Sequence, residues 1–233
     1  MLNLDPQLTK QENFQAGQVL LIDKPLEWTS FDVVKKVRNS IRIKKVGHAG
    51  TLDPLATGLL IICTGKKTKS IESFMGQEKE YTGEFTLGQT TPTFDLESEP
   101  TEAVPVDHLT KEILNKAKAQ FTGEISQVPP MHSAVKVGGK RVYELARKGE
   151  EVKLKSRQVI ISEFEITRLD LPKVEFRVKC SKGTYIRSLA NDFGKALGVG
   201  AHLSGLRRTK IGDFSVDDAH QLDELVAYLK ELA

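Results

Sequence analysis

The chain has no uninterrupted run of eighteen apolar residues, and its first stretch, MLNLDPQLTKQENFQAG, is polar. A bilayer-spanning helix needs about 20 apolar residues and a secretory signal needs an apolar core near its start, so neither is expected and the cytoplasm is the default location. Cysteine is scarce: only Cys63 and Cys180 occur, each in an apolar stretch (LLIICTG and VEFRVKCS) with no Cys or His nearby. Two buried thiols are expected, in place of a disulfide or a metal site. The sequence also lacks GxxxxGK[ST], a strand followed by GxGxxG, and HExxH, and its five histidines show no ligand spacing. Nucleotide hydrolysis, dinucleotide redox chemistry and zinc hydrolysis therefore have no motif behind them, and neither a cofactor nor a metal is expected. There is no internal repeat, low-complexity tract or clear linker.

A large excess of charge of one sign is missing too, the net charge being +3. The distribution is nevertheless uneven. KKVRNSIRIKK at 35 to 45 holds six basic residues and no acid, and KKTK (66 to 69), GGKR (138 to 141) and RRTK (207 to 210) add further clusters. Acids collect in DLESEPTE (95 to 102) and in the C-terminal DDAHQLDEL. Any single cluster reads as a solvated face; several together point to one basic face for a polyanion.

QVLLIDKP reads as a buried strand ended by proline. Thr29 and Asp32 have capping-box spacing ahead of a helix from about Ser30, on which Phe31, Val34, Val37 and Ile41 recur near helical period. LLIIC is a second buried strand, KKTKSIESFM a helix and YTGEFTLG an alternating strand. An irregular, proline-containing acidic connection at 89 to 106 precedes an amphipathic helix, DHLTKEILNKAKAQF. AVKVGGKRVY signals a tight hairpin at Gly138-Gly139, projecting its basic residues as an arm. VIISEFEITRL and KVEFRVKCS alternate at period two, with Val174, Phe176, Val178 and Cys180 on one side. A helix follows GTY, AHLSGLRRTKIGDF is extended, and LDELVAYLKEL ends the chain as a helix with Leu222, Leu225, Val226, Leu229 and Leu232 inward. The mixed order of elements gives an α+β class with a largely antiparallel sheet.

Three polar sets are candidates for chemistry. Asp53, in GHAGTLDPLATG, reads on residue types alone as a turn residue before proline or as a catalyst. Tyr185 and Arg187, in GTYIRS, read as a packed tyrosine and a surface arginine or as functional groups, and Tyr81 as a half-buried sheet aromatic or a ligand contact.

KPLEWTS, GHAGTLDPLATGLLIICTGKKTK, KEY, PPMHSAVKVGGKRVYELARKG and CSKGTYIRSLANDFGKALGVGAHLSGLRRTKIG follow one another between residues 18 and 215. In order and spacing this set resembles the successive motifs of the TruB family, the tRNA pseudouridine-55 synthases. The resemblance implies a pseudouridine synthase fold, a mixed, mainly antiparallel sheet flanked by helices. It implies an isomerase that converts a uridine in the T-loop of tRNA to pseudouridine, without cofactor or metal, on a base flipped out of its stack. It implies that Asp53 is the catalytic carboxylate, with Arg187 pairing to it and Tyr81 beside the target base. His48, Tyr185 and Leu206 match positions near the flipped nucleotide, and the glycines around Asp53 would allow close approach of ribose. An RNA-binding arm at 128 to 149, with Lys136, Lys140, Arg141, Arg147 and Lys148, is expected to be mobile until RNA binds.

The expected organisation is one catalytic domain, monomeric by default, with a flexible segment at 1 to 16 and no C-terminal PUA-type domain. The expected partner is the T-arm of tRNA, with no membrane and no guide RNA. Two departures stand out: Glu27 occupies a position where the family often has glycine, and His132 one where an aromatic ring is more usual. The rival readings are a tRNA-folding chaperone, a pseudouridine synthase acting on another RNA, and a nonspecific nucleic-acid binder.

Overall fold

The computed structural model describes residues 4–133, 135–142, 152 and 154–232. Its helices are α1 (Lys10–Ala16), α2 (Ser30–Ile41), α3 (Ile71–Gly76), α4 (Lys111–Ala119), α5 (Ile186–Ala196) and α6 (Leu222–Glu231). The strands are β1 (Val19–Lys24), β2 (Val46–His48), β3 (Ala56–Thr64), β4 (Lys79–Leu87), β5 (Gly123–Gln127), β6 (Lys136–Val137), β7 (Lys140–Arg141), β8 (Arg157–Asp170), β9 (Lys173–Cys180), β10 (Ala201–Ile211), β11 (Phe214–Ser215) and β12 (His220–Gln221). The chain divides into two compact units, Met1–Tyr81 with Leu206–Ala233, and Thr82–Gly205.

In the first unit the strand order is β12-β1-β3-β10, with β2 on β3 and β11 on β10. The sheet is mixed: β1 is parallel to β12 and antiparallel to β3, while β3 is parallel to residues 206–208 of β10. β3 explains why LLIIC is apolar without alternation. Leu60 and Ile62 pack with Val33, Val34, Val37 and Ile41 of α2 and the apolar face of α6. Leu59, Ile61 and Cys63 pack on the opposite face with Ala49 and Ile211. A strand covered on both faces has no position where water favours a polar residue.

α2 starts where its sequence directs. Asp32 N donates to Thr29 Oγ1 (3.0 Å) and Thr29 N donates to the Asp32 carboxylate (3.1 Å), satisfying two donors that a helix start leaves open. The N-terminal stretch, read from the sequence as flexible over 1 to 16, contains α1. A Thr9–Glu12 capping box begins this helix, and Phe14 is fully buried in the core. One buried phenyl ring stabilises by roughly 1.5–3 kcal/mol, enough to dock a short capped helix whose other side chains, Ala16 apart, are polar.

In the second unit the order is β4-β9-β8-β5, with β8 antiparallel to β5 and β9. Its core is aromatic. Phe85 and Phe176 stack at 4.1 Å between centroids, with Phe164 and Phe193 packed against them edge-on or tilted. Val174, Phe176, Val178 and Cys180 are all buried, as their period-two spacing predicts. β5 is not legible in GEISQ, because an edge strand of five residues with alternating exposure carries little apolar signal. Among the described residues no helix is long and apolar enough to cross a membrane.

Candidate active site

Asp53 sits in the loop between β2 and β3, half-buried. Its carbonyl accepts from Ala56 N (3.0 Å), so the Asp-Pro turn expected from the sequence does form. The loop is held on both sides of the carboxylate. Ser30 Oγ accepts from Leu52 N (2.8 Å) and donates to Leu52 O (3.1 Å). On the other side Pro54 O accepts from Glu27 N (2.9 Å) and from Lys24 Nζ (3.3 Å). Upstream, Arg208 donates from Nη2 to Gly50 O (3.2 Å) and from Nε to Leu59 O (2.8 Å).

Lys24 and Arg208 are wholly out of solvent. The sequence reading missed both as site residues and counted Arg208 in a basic surface cluster. RRTK is not such a cluster at its start: Arg208 is internal, and Arg207 forms two bonds to the Asp23 carboxylate, 2.9 and 2.7 Å. Lys24 Nζ also donates to Pro25 O (2.9 Å) and Trp28 O (2.5 Å). Burial pushes the Lys24 ammonium down to about 8, while attraction to Asp53 works the other way.

Two of the glycines around Asp53 have reasons inside the protein. Gly50 has φ +92°, and Gly58 has φ +101° with an added Cβ meeting Arg208 O at 2.3 Å. Glu27 adopts φ 66°, the left-handed geometry that glycine favours, so the turn survives the departure from the family pattern.

His48, Tyr81 and Leu206 belong to the same unit as Asp53. Leu206 pairs with Ala56, which places it beside the strand that begins at the end of the Asp53 turn. Tyr81 is half-buried on β4. His48 lies on β2 opposite Ile62, and burial lowers its pKa against an opposing hydrogen bond with the Gly50 backbone. A neutral imidazole favours packing against an uncharged base.

The second unit carries Tyr185 and Arg187 at the start of α5. Arg187 is 4% exposed, which removes the surface-arginine reading. It donates from Nη2 to His132 O (2.9 Å) and from Nη1 to Thr93 O (3.4 Å), and Nε lies 3.5 Å from Asp95 Oδ2. Asp95 is also buried, although the sequence groups it with solvent-facing acids. Its carbonyl accepts from the hydroxyls of Thr91 (2.7 Å) and Thr93 (3.1 Å). The irregular connection is thus built into a socket for Arg187.

Tyr185 is clamped through its backbone by buried Gln127, whose Oε1 accepts from Tyr185 N (2.8 Å) and whose Nε2 donates to Tyr185 O (3.0 Å). The Arg157 guanidinium lies 4.6 Å from the Tyr185 ring centroid. In the arm, β6 pairs with β7 around Gly138 and Gly139, both at positive φ, which is the hairpin that the Gly-Gly pair predicts. Lys136, Lys140 and Arg141 stand on these strands, while Arg147 and Lys148 lie outside the described residues.

Residues 38–186 match the family described as TruB family pseudouridylate synthase (N terminal domain), and residues 187–232 match the tRNA pseudouridylate synthase B C-terminal domain. The chain is 56% identical over 215 residues to the tRNA pseudouridine synthase B of Flavobacterium johnsoniae, covering 89% of this chain and 94% of that protein. With the protein of the same name from Parabacteroides distasonis it is 53% identical over 225 residues, covering 94% and 96%. Among solved structures it superposes on a chain of a Cbf5-Nop10-Gar1 complex with a TM-score of 0.71 at 32% identity, covering 97% of this chain. It also matches a chain of an H/ACA RNP bound to a substrate RNA containing 2'-deoxyuridine, with a TM-score of 0.69 at 28% identity. It spans 60% of the length of each of these solved chains. Motif order, the α+β fold with its mixed sheet, and these matches agree: the chain belongs to the TruB family of pseudouridylate synthases and is a pseudouridine-forming isomerase.

Proposed function

We propose that the protein isomerises the uridine at position 55, in the T-loop of tRNA, with Asp53 as the catalytic carboxylate. The names of the relatives, tRNA pseudouridine synthase B, support tRNA as the substrate. The observation that carries the assignment of Asp53 is the way its loop is tethered at Gly50, Leu52 and Pro54, on both sides of the carboxylate. A group so held presents its oxygens in one geometry, which is what positioning against a reacting carbon requires.

The reaction breaks the bond from ribose C1' to N1, turns the base, and joins C1' to C5; the C5 proton leaves and N1 gains one. Atoms balance within the substrate. Both routes open to a carboxylate, attack on C1' and removal of the 2' proton, need Asp53 ionised. Arg187 is proposed as its cationic partner in the RNA complex, and the Lys24 ammonium, attracted to Asp53, favours the same charge state. Tyr81 combines an aromatic face for the uracil with a hydroxyl that relays a proton. In the RNA complex His48, Tyr185 and Leu206 are proposed to contact the extruded nucleotide, whose unstacking costs about a few kcal/mol. Lys136, Lys140 and Arg141 of the arm, with Arg147 and Lys148, supply phosphate contacts.

The test is tritium release from unmodified tRNA carrying C5-tritiated uridine, by the wild type and by Asp53→Asn, without added nucleotide or metal. Release by the wild type alone, mapping to the T-loop uridine, is the expected result. If neither protein releases tritium while both bind tRNA, the RNA-folding reading replaces this one.

A further inference from the structure

Arg42, Lys44, Lys45 and Lys66 line a single cavity of about 470 Å³, floored by Gln15 and Gly65, and no carboxylate is in its lining. The backbone enforces this convergence. α2 ends at Ile41, and Arg42 takes the left-handed conformation (φ 54°, ψ 36°) with its N–H on Arg38 O. Ile43 then turns inward, 6% exposed, leaving Arg42 and Lys44 in solvent on either side of it. Lys45 O accepts from Gly65 N (2.8 Å), which brings Lys66 alongside.

Gly65 itself has φ +48°, and a Cβ there would lie 2.1 Å from Gln15 O and 2.4 Å from Phe14 O, so the end of α1 closes the floor. Thr64 Oγ1 fixes the same corner by donating to Phe14 O (2.9 Å) and accepting from Gln18 N (2.9 Å). Three segments far apart in sequence are thus locked together around four cations.

Such an arrangement carries a cost in mutual repulsion, and a concave basic surface concentrates field on any anion that enters. A non-glycine residue in the left-handed region also strains the backbone at Arg42. Two of its lining residues, Lys44 and Lys45, directly precede β2, the strand that ends at His48. At about 3.3 Å per residue, Lys45 is some 10 Å along the strand from His48. A polyanion with one nucleotide held at His48 has neighbouring phosphates within reach of that distance.

We propose that this cavity is a phosphate-binding site for the backbone of the RNA substrate, separate from the arm; the identity of the polyanion rests on the function proposed above. A single phosphate accepts hydrogen bonds from several cations at once, which suits a cavity lined by three lysines and an arginine.

The test compares the wild type with the fourfold variant Arg42→Gln, Lys44→Gln, Lys45→Gln, Lys66→Gln and with the charge-keeping variant Lys44→Arg, Lys45→Arg, Lys66→Arg. All are first shown to unfold at the wild-type temperature. Binding of an unmodified tRNA transcript is measured across a range of salt. The glutamine variant is expected to bind about tenfold more weakly near 0.1 M salt, with the slope of log Kd against log salt shallower by about one to two and kcat/KM lowered to match. The arginine variant is expected to keep wild-type affinity.

An unchanged Kd and slope in the glutamine variant overturns the proposal. So does an equal loss in the arginine variant, because charge is then not the cause. Tight binding of inorganic phosphate by the free wild type, with RNA affinity indifferent to the substitutions, also overturns it in favour of a small-anion site. Failure of the wild type to form pseudouridine would instead remove the function proposed above, since the binding slopes are read without turnover.

Discussion

Arg187 and Asp95 form a buried pair, Nε to Oδ2 at 3.5 Å, with their side chains only 4% and 5% exposed. Asp95 comes from an irregular connection and Arg187 from the first turn of a helix, so the pair ties a segment without regular structure to a proposed catalytic group. Charges taken out of water at this depth are tolerated only when paired and hydrogen-bonded.

Asp95→Asn weakens that pairing while keeping side-chain size. The expected result is a loss of about 3 kcal/mol in unfolding free energy, measured by urea titration. Tritium release is expected to fall at least about tenfold, with tRNA affinity changed by less than about threefold, because Arg187 is displaced and the phosphate contacts are not. Wild-type turnover in this variant would show that Asp95 does not position Arg187.

Lys24 gives the stability a defined pH dependence. Its folded value of about 8 lies below the unfolded value near ~10.4. Between the two, the unfolded chain still holds the proton that the folded protein has released, so stability rises with pH across this window. Below pH about 8 both states carry the charge, and the cost of burying the ammonium is felt in full. In Lys24→Met this rise, on the order of 2 kcal/mol between pH 8 and pH 10, is expected to vanish, as read from urea midpoints at those two values. At pH 7 the variant loses the bonds to Pro25 O, Trp28 O and Pro54 O and is expected to be less stable by about 1–3 kcal/mol.

Glu27 holds a left-handed backbone conformation with an exposed side chain. Glycine there removes the Cβ clash, at the cost of greater freedom in the unfolded chain. Glu27→Gly is expected to raise stability by up to about 1 kcal/mol with tritium release retained. A clear fall in thermal midpoint would show that the Glu27 side chain contributes more than its backbone costs.

Both thiols are buried, and burial pushes the Cys63 thiol up to about 11. A thiol reagent at pH 8 is therefore expected to label neither Cys63 nor Cys180 in the native protein and to label both in urea. Rapid native labelling of one would locate a region that opens far more readily than its packing implies.

Much of the framework was legible before any coordinates. The spacing of Val34, Val37 and Ile41 specifies the buried face of α2, although Phe31, read with them, is 59% exposed and Val33 is buried in its place; the unbroken LLIIC run specifies a strand covered on both sides, and Gly138-Gly139 specifies a hairpin. The polar neighbours of the proposed site were not legible. Gln127 clamps a backbone 58 residues away, and Lys24 reaches Pro54 O across 30. Asp95 reads as one more acid in an acidic stretch, and Arg208 as one more base in a basic one.

The difference has a physical cause. Periodicity and turn chemistry act between residues that are neighbours along the chain, so the order of apolar and polar side chains determines by itself where helices, strands and hairpins lie. The motif order likewise singles out Asp53 as the proposed carboxylate without a structure. A buried polar group, by contrast, is tolerated only next to a partner that folding brings to it from elsewhere. Which lysine, arginine or aspartate is internal, and what it holds in place, was decided by the tertiary structure alone.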